Sequence, residues 1–229
     1  MPDLMLTFPW EADVGTVVSD PIASSAPIAS SAPLTRDLPP HAKRAVADST
    51  NRVAWLRARS QGVTATDAAR FTSDRAVRSA AFDKVHGTGF GGNAYTEYGR
   101  EREPAIASWV QRSHGIRPST TLFHAEANRR HLATPDGLAV RDGGRLELAE
   151  IKTTNKAFRS VPRSYLRQVW WQQYVLGAER TLFVWEQHHD FVPMEAEPRC
   201  CWIDRDENEI AVLVGLADRF LACLTSAGR

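Results

Sequence analysis

The segment Thr134 to Lys152, TPDGLAVRDGGRLELAEIK, constrains the fold more than any other part of the chain. Gly137-Leu138-Ala139-Val140 is short and apolar, Asp142-Gly143-Gly144 is turn chemistry, and Leu146 to Ile151 is strand-like. The segment therefore predicts a β-hairpin that returns Asp136 towards Glu150. Side chains alternate along a strand, so residues i and i+2 share a face about 6.5–7 Å apart. Glu150 and Lys152 point together, and Ile151 packs on the other side. A chain folded this way brings two carboxylates and an ammonium to one place.

Asp136 and Glu150 make a hard, all-oxygen donor set suited to Mg²⁺ or Mn²⁺, with the Ile151 carbonyl as a further candidate ligand. An ammonium beside such a site, here Lys152, orients or deprotonates an attacking water. The metal lowers the pKa of that water, and a pair of ions about 3.5–4 Å apart clamps the attacking and leaving oxygens of a phosphodiester. These are the three side chains that magnesium-dependent phosphodiester hydrolysis needs. The same letters also occur as an Asp-Gly turn and a solvated cross-strand charge pair, and the segment alone does not separate the two.

With 229 residues, 43% hydrophobic and 24% charged, the chain can bury the core of one α/β domain and leaves little for a second. Its net charge of +1 argues neither for nor against nucleic acid. Locally the balance is one-signed: Ile151 to Ala178 holds Lys152, Lys156, Arg159, Arg163 and Arg167 and no acidic residue, the pattern of a phosphate track or of a solvated basic helix face. Cys200, Cys201 and Cys223 have neither disulfide-framework nor metal spacing and read as reduced thiols. No run is long enough to span a membrane, and no basic region precedes an apolar one at the N-terminus, so a cytoplasmic protein is expected.

Residues 1 to about 47 differ from the rest. The hexad PIASSA occurs twice in succession between Pro21 and Pro33, in a region rich in Ala, Ser and Pro that cannot offset its ordering entropy by burial. A flexible or partner-bound tail is expected there, with Leu4, Leu6, Phe8 and Trp10 as an apolar alternation able to dock on a partner or on the protein itself. From Asp48 onward the pattern predicts a folded body. Thr64 or Thr66 would cap a short helix whose N-terminus, flanked by Arg57 and Arg59, is a candidate anion site. Ser73 caps a second helix ending near Gly87, and Phe90-Gly91-Gly92-Asn93 is a loop. Tyr98 to Pro104 feeds an apolar-periodic helix through Ile106, Trp109 and Val110, with Pro104 at a first turn or a kink. After the hairpin, Tyr165 to Leu176 reads as a helix ended by Gly177, Thr181 to Trp185 as a buried strand, and Glu207 to Leu224 as an amphipathic helix over the sheet. Gln168 and Gln172 share one helical face.

The motifs Arg59 with Gly62-x-x-x-Thr66-Asp67-Ala68-Ala69, Gly99-x-x-x-Glu103-Pro104, Thr134-Pro135-Asp136-Gly137, Glu150-Ile151-Lys152 and Tyr165-x-x-Gln168 occur in this order. Together they resemble the YqaJ-like viral recombinases, relatives of phage lambda exonuclease within the PD-(D/E)XK nuclease superfamily, over residues 55 to about 220. The resemblance implies an α/β fold of the restriction-endonuclease-like kind, a mixed central β-sheet flanked by helices, in a single nuclease domain spanning 48–229. It implies that Asp136, Glu150 and the Ile151 carbonyl hold the catalytic metal, that Glu103 assists at a second metal, that Lys152 positions or activates water, and that Gln168 supports the lysine end. It also implies that Thr66, with Arg59, meets the 5′-phosphate of a DNA end, with Lys156, Arg159 and Arg163 along the DNA. Two departures stand out. Ala65-Thr66-Asp67 replaces the usual Gly-Ser-Asp but keeps the hydroxyl, and Trp170 replaces a second glutamine, a place that Gln172 either takes or leaves empty.

What the resemblance implies for function is a Mg²⁺-dependent exonuclease, Mn²⁺ being the alternative ion and two ions per site expected. It would resect double-stranded DNA from 5′-phosphorylated ends to leave 3′ overhangs for single-strand annealing recombination. Expected partners are duplex DNA ends, a single-strand annealing protein and further copies of the chain, a trimer in the family, in the cytoplasm of a bacterium carrying the phage or prophage. A structure-specific or restriction-type endonuclease on the same fold and a DNA-binding module with unused chemistry are the alternatives. His188-His189-Asp190 reads as an exposed loop rather than a metal site, His124 and His131 as surface or core-edge residues, and the tryptophans as core, with Trp170 or Trp171 able to stack on an unpaired base.

Overall fold

The computed structural model describes residues 39–87 and 92–227. The tail expected at residues 1 to about 47 lies outside them as far as residue 38, as do Leu4, Leu6, Phe8, Trp10 and the two hexads, and so do Phe90 and Gly91 of the expected loop. The folded body begins earlier than Asp48: a 3-10 turn at Ala42–Arg44 leads into β1 (Ala45–Asp48). Arg44 holds this segment down by donating to the carbonyls of His124 (2.8 Å) and Leu176 (3.0 Å).

Three helices follow: α1 (Arg52–Gln61), the single turn α2 (Ala65–Ala68) and α3 (Asp74–His86). Ser73 caps α3 through the Ala76 amide, and Gly87, at φ 66°, closes it in the left-handed conformation that glycine adopts without strain. α4 (Ala94–His114) opens on a capping box between Asn93 and Thr96. Pro104 sits in the interior of α4, which excludes a first-turn position; its missing N–H leaves the Arg100 carbonyl without the usual i+4 donor.

The strands are β2 (Arg117–Pro118), β3 (Thr121–His124), β4 (Leu132–Ala133), β5 (Gly137–Val140), β6 (Leu146–Thr154), β7 (Arg180–His189), β8 (Val192–Pro193) and β9 (Arg199–Asp204). α5 (Arg163–Leu176) crosses over between β6 and β7, and α6 (Glu207–Ala227) is the last element among the described residues. β5 and β6 form the expected hairpin, with Gly143 and Gly144 in the turn at φ 73° and 79°. β6 and β7 pair in parallel from Glu147↔Arg180 to Thr154↔Gln187, as a crossover helix requires. The main sheet runs β2-β5-β6-β7, with β9 and β8 both antiparallel to β7, and β1-β3-β4 form a small second sheet.

The pleat of β6 divides the core. Leu146 and Leu148 join α3, α5 and α6 in a large cluster around Trp171, Phe71, Phe183 and Phe220, whereas Ala149 and Ile151 pack under α4 with Ile106, Ala107 and Val110. α6 rests on α3 and α5 rather than directly over the sheet. The even row of β6, apolar at Leu146 and Leu148, continues as Glu150 and Lys152. The polar site is therefore an extension of the core, walled by the same strand and the same helix.

Candidate active site

The hairpin delivers Asp136 beside Glu150 as the turn chemistry predicts. The Asp136 amide donates to the Ala149 carbonyl at 3.1 Å, and its Oδ2 accepts the Ile151 amide at 2.7 Å. Glu150 is buried, with one oxygen against Lys152 Nζ and the other accepting from Gln172 Nε2 at 2.6 Å. Lys152 Nζ also stands 5.6 Å from the Tyr165 ring centroid, so its charge lies against an aromatic face as well as a carboxylate. One cavity of about 270 Å³ is lined by Asp136, Glu150, Lys152, Glu103, Gln168 and Gln172, and its further wall by Arg59 and Thr66. Eight residues singled out along the sequence thus meet in one place, drawn from α1, α2, α4, β6, α5 and the approach to β5.

The charges in this cavity do not balance locally. Burial pushes the Asp136 carboxyl well above its ordinary value, and Glu150 and Glu103 push it further, against the opposing pull of Lys152 and the Ile151 amide. Burial likewise raises Glu103, with Glu150 adding to the shift and Lys152 opposing it. Burial works against the Lys152 ammonium, but Glu150 and Asp136 outweigh it, and the group is held above its ordinary value. Three carboxylates around one ammonium form a site that a divalent cation would relieve. Among the described residues no three His, Cys, Asp or Glu side chains converge on a single ligating point: both Glu150 oxygens and one Asp136 oxygen are already engaged by Lys152, Gln172 and the Ile151 amide. The donor set is nonetheless all oxygen and suits a hard ion. Three buried polar atoms on the cavity wall, Trp55 Nε1, Thr134 Oγ1 and Gln172 Oε1, lack a partner among the described residues, as expected of a cavity built around something polar.

The Arg59 wall differs in origin from the expected helix N-terminus. α2 is one turn long and is capped by Thr64, not Thr66, in a box closed by Asp67. Asp67 Oδ2 accepts from the Thr64 amide (2.8 Å), the Thr64 hydroxyl (2.7 Å) and Lys84 Nζ (2.5 Å), so the helix end already holds a carboxylate and is no anion site. Arg57 is exposed on α1 and does not line the cavity. Arg59 does: its guanidinium lies 4.2 Å from the Trp55 ring centroid, and burial lowers its pKa against the opposing pull of Asp67. No hydrogen bond or ion pair holds Arg59 among the described residues. A half-buried cation without a hydrogen-bond or ion-pair partner among the described residues, lining the same cavity as the Thr66 hydroxyl, suits an anion.

Elsewhere the expectations divide. Lys156 and Arg159 are exposed, but Arg163 pairs with Glu209 at 2.7 Å and lies over the Trp170 ring, so the basic run is shorter than it reads. Trp170 and Trp171 are buried in the core, Trp171 donating to the Leu132 carbonyl at 3.0 Å, and neither is open to a base. His188 is buried within β7 rather than in an exposed loop, while His189 and Asp190 are exposed. His124 and His131 are buried structural groups, His131 bonding the Tyr174 hydroxyl at 3.0 Å. Gln172 holds Glu150, which its i+4 relation to Gln168 could have signalled. Ser49, Ser119 and Thr120 also line the cavity, and their spacing in the sequence carries no sign of it.

The family model of the YqaJ-like viral recombinase domain matches residues 54–179, the stretch that carries every one of these cavity residues apart from Ser49. No curated protein matches the chain. The fold is similar to that of LHK-Exo, an alkaline exonuclease from Laribacter hongkongensis, crystallised in complex with dAMP. That similarity has a TM-score of 0.59 at 25% identity and covers 76% of this chain and 92% of LHK-Exo. A phage-related exonuclease from Haemophilus somnus 129PT is similar in fold, with TM-score 0.52 at 17% identity over 69% of this chain and 85% of the other. The mixed sheet with flanking helices is the PD-(D/E)XK fold. No helix among the described residues is long and apolar enough to cross a membrane.

Proposed function

The chain belongs to the YqaJ-like viral recombinase domain family, and on that premise we propose that it is a metal-dependent DNA exonuclease. In this proposal it shortens 5′-phosphorylated ends of duplex DNA and leaves 3′ single-stranded overhangs. The observation that carries the proposal is the single cavity in which the Asp136, Glu150 and Glu103 carboxylates and the Lys152 ammonium face the unpaired Arg59 guanidinium and the Thr66 hydroxyl.

Asp136, Glu150, Glu103 and the Ile151 carbonyl would hold Mg²⁺ or Mn²⁺, one ion or two, which when bound supplies Lewis-acid polarisation of the phosphoryl oxygen and acidifies water. The chain's own groups account for the rest. The Ile151 amide fixes Asp136, and Gln172 with Lys152 fixes Glu150 in one orientation. Lys152, held protonated by its carboxylates, donates to the attacking water or to the phosphoryl oxygen as charge develops there, and Gln168 lines the same wall. Arg59 and Thr66 take the terminal 5′-phosphate, which sets the cut one nucleotide from the end and makes a free end a requirement. The dAMP bound to LHK-Exo is a nucleoside 5′-phosphate, the type of group this wall would accept.

Linear duplex carrying 5′-phosphate should be degraded in Mg²⁺ and closed circular duplex should not, and Asp136→Ala and Lys152→Ala should each abolish the activity. Cutting of closed circles would make the enzyme an endonuclease on the same fold, and equal degradation by wild type and variants would end the catalytic assignment. Further parts of the proposal are a phage or prophage setting in the bacterial cytoplasm, a single-strand annealing protein that receives the overhang, and a homo-oligomer, a trimer by analogy with the family. Light scattering that finds a monomer at working concentration removes the last.

A further inference from the structure

A second cavity adjoins the catalytic one. A neighbouring cavity of about 290 Å³ is lined by Tyr95, Thr96, Gly99 and Arg100 of α4 and by Ile151 to Thr153 of β6. Glu103 and Lys152 line both cavities and so form the partition between them, whereas Arg59 and Thr66 line only the first. Gly99 lets α4 come close to the strand here, since a β-carbon at that position would stand 3.1 Å from Thr153 Oγ1. If the terminal phosphate rests at Arg59 and Thr66 and the next phosphodiester is cut beside Glu103 and Lys152, the strand beyond the cut runs into this second cavity. This inference therefore rests on the exonuclease proposal.

The second cavity carries chemistry suited to that strand. Arg100 is exposed with no hydrogen-bond or ion-pair partner among the described residues, Thr96 and Thr153 add hydroxyls, and Glu103 on the partition is the only acidic lining residue. Tyr95, 48% exposed, lies at its rim with its ring 5.1 Å from that of Phe191, itself 41% exposed, and its hydroxyl accepts from Asn155 at 3.2 Å. Behind them Tyr98 and His188 complete an aromatic cluster, with ring distances of 5.5 Å from each to Phe191. Phe191 is held there against its backbone preference: Asp190 and Phe191, at φ 46° and 64°, are the non-glycine residues in the left-handed region among those described. The Phe191 amide donates to His188 Nδ1 at 3.3 Å and fixes the turn. A strained tip that presses an aromatic ring against Tyr95 on the rim of the second cavity is the kind of feature that function maintains.

We propose that Tyr95 and Phe191 form a stacking platform for a base of the cut strand just beyond the scissile phosphate, with Arg100 against its phosphates. The platform would favour ends whose second or third nucleotide is unpaired, because only an unstacked base offers its face to the rings.

The test is a cycle in binding, measured by fluorescence anisotropy with Ca²⁺ in place of Mg²⁺. The ligands are 5′-phosphorylated oligonucleotide duplexes with frayed ends, intact or abasic at the second or third nucleotide, and the proteins are wild type, Tyr95→Ala, Phe191→Ala and the conservative Tyr95→Trp. Wild type should lose roughly 5- to 150-fold in affinity at one abasic position, by the usual worth of one stacked base. The alanine variants should start weaker by a similar factor and lose nothing further there, and Tyr95→Trp should behave as wild type. An abasic penalty of equal size in wild type and alanine variants, or unchanged affinity in the variants, overturns the platform. Nuclease assays on the same ligands in Mg²⁺ separate the two ideas: coupled binding without cleavage by wild type refutes the exonuclease proposal and leaves the platform standing.

Discussion

Replacing Gln172 by Met separates an orienting role from a structural one. Gln172 is buried, and its Nε2 donates to Glu150 Oε2 at 2.6 Å while its Oε1 has no partner among the described residues. Met is unbranched and of similar volume, so no large cavity opens. Losing a hydrogen bond to a charged acceptor costs about 1.5–3 kcal/mol, and removing an unsatisfied buried carbonyl returns about 1–3 kcal/mol. The two nearly cancel, so denaturant unfolding of the metal-free protein should move by no more than about 1 kcal/mol. Catalysis has no such compensation, because Glu150 then keeps only Lys152 to fix its orientation. If the hydrogen bond serves the reacting geometry, kcat on 5′-phosphorylated linear duplex should fall by about 10- to 150-fold, the same 1.5–3 kcal/mol expressed as a rate. A variant several kcal/mol less stable with an unchanged kcat would refute the argument and make Gln172 a core residue that happens to touch Glu150.

Asp136→Asn should stabilise the metal-free protein while abolishing cleavage. Burial and the neighbouring Glu150 raise the Asp136 pKa from its ordinary 3.8, so the folded state binds the proton more tightly than the unfolded one. The stability this gives is complete below 3.8 and is lost as pH rises through the folded value; the variant should lack that loss in a pH series of urea unfolding curves. His131 runs the other way: burial lowers its pKa from 6.5 against the pull of Asp218, so the unfolded chain protonates first as pH falls. Stability should drop from about 6.5 downward until the folded value is reached, and His131→Gln should flatten that limb, visible as Tm against pH; parallel slopes would contradict it. Arg59→Ala should erase the preference for 5′-phosphate over 5′-hydroxyl ends, about 10- to 150-fold if one charged hydrogen bond is lost, with little change in Tm because the guanidinium has no hydrogen-bond or ion-pair partner among the described residues and touches only the Trp55 ring. An unchanged phosphate preference would show that Arg59 does not meet the end.

What could be read in advance was local in the chain. The Asp136 to Lys152 arrangement needs only strand alternation and a glycine turn, and the ends of α3 and α5 need only Ser73, Gly87 and Gly177. The small sheet escaped notice because β1 finds its partner across more than seventy positions, as Asp48↔Thr121, and four residues such as Ala45–Asp48 carry no periodicity to reveal it. The Arg59 wall of the cavity was half legible for the same reason. Arg57 and Arg59 look alike in the sequence, yet two residues along a helix turn about 200°, so only one can face the cavity. Stacking on Trp55, four positions earlier and on the same face, decides for Arg59. The helix-end reading of Thr64 to Asp67 failed because the nearest anion is the chain's own Asp67 carboxylate, held by Lys84 from α3. Lys84 takes the ion pair with Asp67, so that carboxylate acts on Arg59 only through the field, and the contact that spoils the simple anion site leaves the half-buried guanidinium with its donors free for a ligand.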